Sequence, residues 1–136
     1  MDTRIIDFLT NQRICVLTTI LPDGTPHSAT MHFAMREKPF QFIFFTKDIS
    51  RKCEHFRVGR QYPASFVVGF DENKMVEFQA TGIIKKVNKV LAKLGEKTFA
   101  TKFKGSKLDA EHVVLEFSPK WWRYTEYKPK KLILES

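Results

Sequence analysis

The chain has 136 residues, a length that fits one domain, and its composition is 43% hydrophobic and 28% charged, which is ordinary for a globular protein. Its formal net charge of +8 points to an anionic partner if it has one: a nucleic acid, a membrane surface or a phosphorylated small molecule. Only two cysteines are present, and no cysteines or histidines are spaced as metal ligands, so we expect no metal site and a reduced, cytoplasmic protein.

Residues 1–13 predict a short amphipathic helix. Thr3 is a suitable N-cap, and Ile5, Ile6 and Leu9 fall on one face of the helix that follows it. Polar residues at positions 7 and 11–13 break the apolar pattern, so we expect neither a signal peptide nor a membrane span in this segment.

Residues 14–35 predict a β-hairpin with Asp23-Gly24 at its turn and a proline on either side. Its second strand alternates between two kinds of side chain. The apolar set faces the core: Ala29, Met31, Phe33 and Met35. The polar set faces solvent or a polar ligand: Ser28, Thr30 and His32.

The next strand, "QFIFFT" at residues 41–46, is apolar on both faces. Both faces must therefore be covered, and the outer cover is a helix, another subunit or a flat ligand. Residues 64–70 predict a similar strand, and a turn at 71–73 follows it. The strand at residues 74–87 again alternates, with Glu77, Gln79 and Thr81 on its polar face.

The C-terminal third predicts a helix and two strands. The helix spans residues 88–103, with Leu91, Leu94 and Thr98 along one face and a glycine at position 105 to end it. Pro119 separates the two strands that close the chain. The whole pattern is mainly β with short helices: a single domain of six or seven largely antiparallel strands that close into a small barrel, with three short helices.

A site for an anion is predicted directly after the strand at 41–46. Ser50 is a favourable N-cap for a helix, and the free amides of a helix start attract an anion. Arg51 and Lys52 would oppose the helix dipole at a cost of about 0.3–1 kcal/mol each, whereas a charge-assisted hydrogen bond to a phosphate is worth about 1.5–3 kcal/mol. The alternative is a solvated helix start with two surface cations.

The segment "FFTKDISRK" resembles the pyridoxamine phosphate oxidase family, the FMN-binding split β-barrels. In that family an aromatic-Thr pair ends a strand, and a Ser-Arg-Lys beginning four residues later holds the FMN phosphate. Phe45-Thr46 and Ser50-Arg51-Lys52 match this motif in type and spacing. The resemblance extends over residues 14–87 and continues more loosely beyond them.

The resemblance implies a split β-barrel that forms a homodimer with FMN at the interface. It places four residues at the FMN phosphate: Thr46, Ser50, Arg51 and Lys52. It places four more along the ring and ribityl chain: Ser28, Thr30, His32 and the backbone of Met31. Further cofactor contacts are expected from Phe45, Gln79 and Trp122, although one of the adjacent tryptophans, 121 and 122, is expected in the core.

The resemblance also implies an FMN-dependent oxidoreductase that acts on a small molecule. The ending "RYTEYKPKKLILES" does not match the substrate-binding segment of the vitamin B6 oxidase itself, so another substrate is expected. Two alternatives stay open: a non-catalytic flavin-binding or haem-binding storage protein, and a basic barrel that binds nucleic acid through aromatics and lysines. Nucleic-acid recognition motifs are absent, so nucleic acid is the less expected partner, and no membrane partner is expected.

Overall fold

The computed structural model describes residues 1–136 as two helices and eight strands. In chain order these are α1 Thr3–Asn11, β1 Ile14–Ile20, β2 Pro26–His32, β3 Ala34–Arg36, β4 Gln41–Lys47, β5 Tyr62–Val68, β6 Val76–Lys86, α2 Lys89–Lys102, β7 His112–Glu126 and β8 Leu132–Glu135. Neither helix combines the length and the apolar character needed to cross a membrane.

The strands form one antiparallel sheet in the order β2-β1-β5-β6-β7-β4-β3, and β8 pairs with β7 beside this path. The two ends of the path, β2 and β3, are separated in sequence by Phe33 alone. The chain therefore joins the ends of the sheet, which curls into a half-barrel. The predicted mainly β, antiparallel split-barrel fold is confirmed.

Phenylalanine rings fill the inside of the curled sheet. Phe42 lies at the centre, with its ring centroid 4.4 Å from that of Phe66 and 5.8 Å from that of Phe78. Helix α1 closes one end of this core with the buried side chains of Ile5 and Leu9. The N-cap of α1 is Asp2 rather than the predicted Thr3, because the Asp2 carboxylate accepts a hydrogen bond from the Arg4 amide at 2.9 Å.

Helix α2 covers the outer face of β4, so the cover that this doubly apolar strand requires comes from the same chain. Phe45 and Phe99 stack with ring centroids 4.2 Å apart. The buried face of α2 consists of Ala92, Gly95 and Phe99, whereas the predicted face was wrong: Leu94 is 52% exposed. The sheet approaches α2 so closely that small residues are needed at the contact.

Residues 112–126 form one continuous strand, β7, and not two strands separated by Pro119. A β-bulge accommodates the proline: Thr81 lies opposite Trp121 and Gly82 opposite Pro119, so one residue of β7 is unpaired. A bulge relieves the need for a ladder amide, which proline lacks. The short strand β8, which the sequence pattern did not predict, extends the sheet beyond β7.

Candidate functional site

The segment after β4 is a series of hydrogen-bonded turns, not the helix that Ser50 was predicted to cap. The Ser50 carbonyl accepts hydrogen bonds from the amides of Cys53 and Glu54, at 3.0 and 2.8 Å. Cys53 and Phe56 are buried and draw the chain back towards the sheet before a second helical turn can form. The attraction for an anion here therefore depends on side chains and not on a helix dipole.

Three polar side chains form a small cluster where β4 ends. The hydroxyl oxygens of Thr46 and Ser50 lie 3.2 Å apart, and the Ser50 oxygen lies 3.3 Å from the Cys53 sulfur. Burial raises the pKa of the Cys53 thiol, so this thiol stays protonated at neutral pH. The cluster can both donate and accept hydrogen bonds.

Lys52 is a largely buried residue whose ammonium group has no countercharge nearby. The residue is 9% exposed, and no carboxylate oxygen lies within 4.0 Å of its ammonium group. Its backbone is fixed because its carbonyl accepts a hydrogen bond from the buried Thr19 hydroxyl at 2.9 Å. Burial lowers the pKa of Lys52, because the charged form loses hydration at this position, and a nearby negative charge would offset that loss.

Arg51 adds a second, exposed cation beside the β1–β2 hairpin turn. Hydrogen bonds from Thr25 lower the pKa of Asp23 in that turn, and the charge of Arg51 makes a smaller contribution to the same shift. The turn after β4 and the tip of the hairpin are therefore neighbours. Arg51 and Lys52 bring two positive charges to the two hydroxyls at the strand end.

A cleft of about 440 Å³ lies between the ends of β2 and β4, the inner side of α2 and the loop that follows α2. Five predicted cofactor residues line it: Thr30, Met31, His32, Phe45 and Thr46. The predicted alternation of β2 is confirmed, because Ser28, Thr30 and His32 are exposed and Met31 is buried. Ser28 lies at the far end of this face, where its hydroxyl oxygen is 2.7 Å from that of Thr18.

The loop between α2 and β7 contributes lining residues that the sequence pattern did not identify. These are Ser106, Lys107, Asp109 and His112. The imidazole Nδ1 of His112 lies 2.6 Å from an Asp109 carboxylate oxygen, and this hydrogen bond lowers the pKa of Asp109. No signal near the motif could have indicated them, because they follow it by more than fifty positions.

The remaining two predicted site residues lie elsewhere. Gln79 lies in a shallow groove of about 230 Å³ on the outer face of β1, β5, β6 and β7, together with Thr18, Ser65, Thr81 and Trp121 among others; we call this the outer groove. Trp122 points to the opposite face, where its ring stacks against that of Phe78 with centroids 6.0 Å apart. Within one protomer neither residue joins the cleft, and Trp121 rather than Trp122 faces outwards.

Solved structures of other proteins share this fold. General stress protein 26 from Bacillus anthracis str. Sterne aligns at 22% identity over 97% of this chain and 97% of its own, with a TM-score of 0.68. A protein related to general stress protein 26, from Clostridium acetobutylicum, aligns at 16% identity over 98% of this chain and 92% of its own, with a TM-score of 0.70. The haem storage protein HutZ from Vibrio cholerae aligns at 17% identity over 88% of this chain and 89% of its own, with a TM-score of 0.63.

Besides these structural similarities, the sequence itself was compared with known protein families. No curated protein matches it. The family model for pyridoxamine 5'-phosphate oxidase, however, matches residues 1–126. That match includes the strand end, the turn after β4 and the cleft, and it covers nearly the whole chain. The chain therefore belongs to the pyridoxamine 5'-phosphate oxidase family.

Proposed function

We propose that the chain binds FMN and that the turn after β4 holds the FMN phosphate. The observation that supports this most strongly is Lys52, whose side chain is largely buried and whose ammonium has no carboxylate within 4.0 Å. A phosphate would supply the missing negative charge, and Arg51 would add a second charge-assisted hydrogen bond. Thr46 and Ser50 provide hydroxyl donors at the same place.

The flavin ring and ribityl chain would lie along the polar face of β2. Ser28, Thr30 and His32 offer exposed polar groups there, the backbone of Met31 runs between them, and the cleft beside this face has the size of a small-molecule site. Phe45 lines the same cleft from β4. These side chains would bind and orient the cofactor.

The activity that we propose is that of an FMN-dependent oxidoreductase acting on a small molecule. Bound FMN supplies hydride transfer, and the protein supplies binding, orientation and electrostatics. Lys47 and Lys107 also line the cleft, so they would put positive charge beside a bound flavin ring and favour an anionic substrate or donor. Both cysteines are free, which suits a reducing compartment, and we propose the cytoplasm as the location.

The proposed assembly is a homodimer with the flavin at the interface. Helix α2 already covers the outer face of β4, so a partner is not needed there. The outer groove, in contrast, has no covering layer, although Trp121 and its apolar neighbours Val16 and Val67 line it. A second copy on this face would bury those side chains and bring Gln79 to the shared site.

The phosphate contact is tested by comparing FMN with riboflavin, which lacks the phosphate. Replacing Arg51 and Lys52 with alanine should weaken FMN binding about 100-fold, since two charge-assisted hydrogen bonds are lost. The affinity for riboflavin should change by less than about threefold, because the ring contacts are intact. Fluorescence titration of flavin gives both affinities.

The matched control for this test is the double variant Lys128→Ala/Lys130→Ala, which removes two exposed cations from the turn between β7 and β8. It should leave both affinities unchanged. Equal losses of FMN and riboflavin in the Arg51/Lys52 variant would remove the phosphate role, and a protein that binds neither flavin would overturn the proposal.

A second candidate function is haem binding or storage, without catalysis. Two imidazoles, those of His32 and His112, line the cleft, and HutZ, with a similar fold, is a haem storage protein. The absorbance spectrum of the purified protein separates the candidates, since haem shows a Soret band and flavin shows its two visible bands. If flavin is bound, its reduction by a nicotinamide donor and reoxidation with turnover distinguishes an enzyme from a storage protein.

A further inference from the structure

Nearly all of the net charge of the protein comes from one segment. Residues 85–107 contain eight lysines and a single glutamate, whereas the whole chain has 23 basic and 15 acidic residues. The rest of the molecule is therefore almost neutral. The proposed flavin site accounts for little of this segment, because of its lysines only Lys107 lines the cleft and Arg51 and Lys52 lie outside it.

The outer face of α2 presents much of this charge to solvent. Lys89, Lys93 and Lys97 are exposed and repeat every four residues, so they are neighbours on the helix surface. Between them lie Val90, which is 74% exposed, and Leu94, which is 52% exposed. We call these five residues the basic stripe, and it lies on the side of α2 opposite the buried Phe99.

No carboxylate of the molecule forms an ion pair with a lysine of the basic stripe. Lys86, just before the helix, pairs with Asp48 at 2.9 Å, but no acidic oxygen lies within 4.0 Å of any stripe lysine. The single acidic residue of α2, Glu96, accepts a hydrogen bond from the Leu108 amide and is turned towards the following loop. Like charges four residues apart destabilise a helix, so the fold itself gains nothing from this arrangement.

We propose that the basic stripe docks on an anionic lipid surface. Lysines attract the headgroups of anionic phospholipids, and aliphatic side chains between them can enter the boundary between headgroups and acyl chains. A nucleic acid fits less well, because the stripe has no exposed aromatic ring on which bases could stack. The contact is peripheral and leaves the cleft open, since the cleft lies on the inner side of α2.

Cosedimentation of the full-length protein with vesicles tests this contact. The wild-type protein should bind vesicles of phosphatidylcholine mixed with phosphatidylserine, and it should not bind vesicles of phosphatidylcholine alone. Binding should fall steeply as salt is raised, because surface charges are screened. Replacing Lys93 and Lys97 with glutamate should weaken binding at least about tenfold, since each lysine contributes an attraction that the glutamate reverses.

The charge-matched control is Lys128→Glu/Lys130→Glu, which changes the net charge equally in the turn between β7 and β8. It should keep vesicle binding within about threefold of wild type, because the local field and not the total charge decides the contact. The variant Val90→Ser/Leu94→Ser, compared with Val58→Ser at another exposed position, should also lose affinity although its charge is unchanged.

Three outcomes would overturn the proposal. One is no binding to anionic vesicles, and another is an equal loss in both charge variants. The third is tighter binding to single-stranded DNA than to the vesicles at the same salt, with the same dependence on Lys93 and Lys97. None of these outcomes bears on the proposed flavin site, because no stripe residue lines the cleft. FMN titration therefore tests that site separately.

Discussion

At the scale of single residues, two lysines are drawn into the fold in different ways. Lys102 donates a hydrogen bond to the Leu9 carbonyl at 3.1 Å, and its ammonium lies 3.9 Å from the centre of the Phe33 ring. These contacts tie the C-terminal ends of α1 and α2 together. The Lys52 ammonium makes no such hydrogen bond or aromatic contact, which is why we assign Lys102 to the structure and Lys52 to a ligand.

The half-buried position of Lys102 predicts a dependence of stability on pH. Burial lowers its pKa from 10.5 to about 8. Between these two pH values the unfolded chain binds a proton that the folded chain does not, so the free energy of unfolding rises with pH. Relative to the variant Lys102→Met, which cannot titrate here, the wild-type protein should gain stability between pH 8 and 10.5.

Urea denaturation of both proteins across this range measures the effect. Cys15 and Tyr124 have raised pKa values because they are buried, so they destabilise the fold as the pH rises. Both groups are present in each protein, and their contributions largely cancel in the difference. A difference in free energy that is constant with pH would show that Lys102 keeps its ordinary pKa in the folded state.

At the scale of elements, two glycines allow neighbouring elements to approach closely. At Gly82, in the bulge of β6, a Cβ would lie 2.1 Å from the backbone oxygen of Ser118. At Gly95, on the buried face of α2, a Cβ would lie 2.7 Å from a methyl group of Val114. The first obstacle is backbone that is fixed in the sheet, whereas the second is a side chain that can rotate.

Alanine substitutions at the two glycines should therefore differ in cost. Gly82→Ala should lower the free energy of unfolding by about 3 kcal/mol, because the bulge must rearrange. Gly95→Ala should cost less, since a helical alanine regains about 1 kcal/mol of helix propensity. Chemical denaturation ranks the two variants, and a Gly82→Ala protein as stable as Gly95→Ala would refute the close approach at the bulge.

At the scale of the whole molecule, the outer groove is the face on which we propose that two copies of the chain meet. Hydroxyl side chains cross four adjacent strands in register there: Ser28 lies opposite Thr18, Thr18 opposite Ser65, and Ser65 opposite Thr81. The small side chains of this row would allow a second copy to approach the sheet closely.

The variant Thr81→Arg should disrupt the proposed dimer, because an arginine at the centre of this surface cannot be packed or desolvated. Light scattering should give half the mass of the wild-type protein, and the affinity for FMN should fall at least about tenfold, since the shared site is lost. Thr101→Arg, at an exposed position on α2, is the control and should change neither property. A wild-type monomer with full flavin occupancy would contradict the shared-site arrangement.

The site residues that were predicted lie close together along the chain, whereas those that were missed lie far from the motif. Phe45, Thr46, Ser50 and Lys52 follow one another closely, and their types and spacing were enough to predict a group of cations and hydroxyls at a strand end. Asp109 and His112 line the cleft beside Phe45 and Thr46 only because β7 pairs with β4, with Thr46 opposite Val113. Such long-range proximity depends on strand order, which periodicity does not encode.

The sequence by itself determined the strand pattern, the hairpin at Asp23-Gly24 and the motif after β4, because turn residues and alternation act over a few positions. Only the tertiary structure decided three further points. Because Cys53 and Phe56 are buried, the segment after Ser50 forms turns and not a helix. The bulge at Gly82 allows β7 to continue past Pro119. Close packing on the sheet determines which face of α2 is buried. In each case a long-range contact outweighed a local preference, since packing contributes more free energy than propensity does.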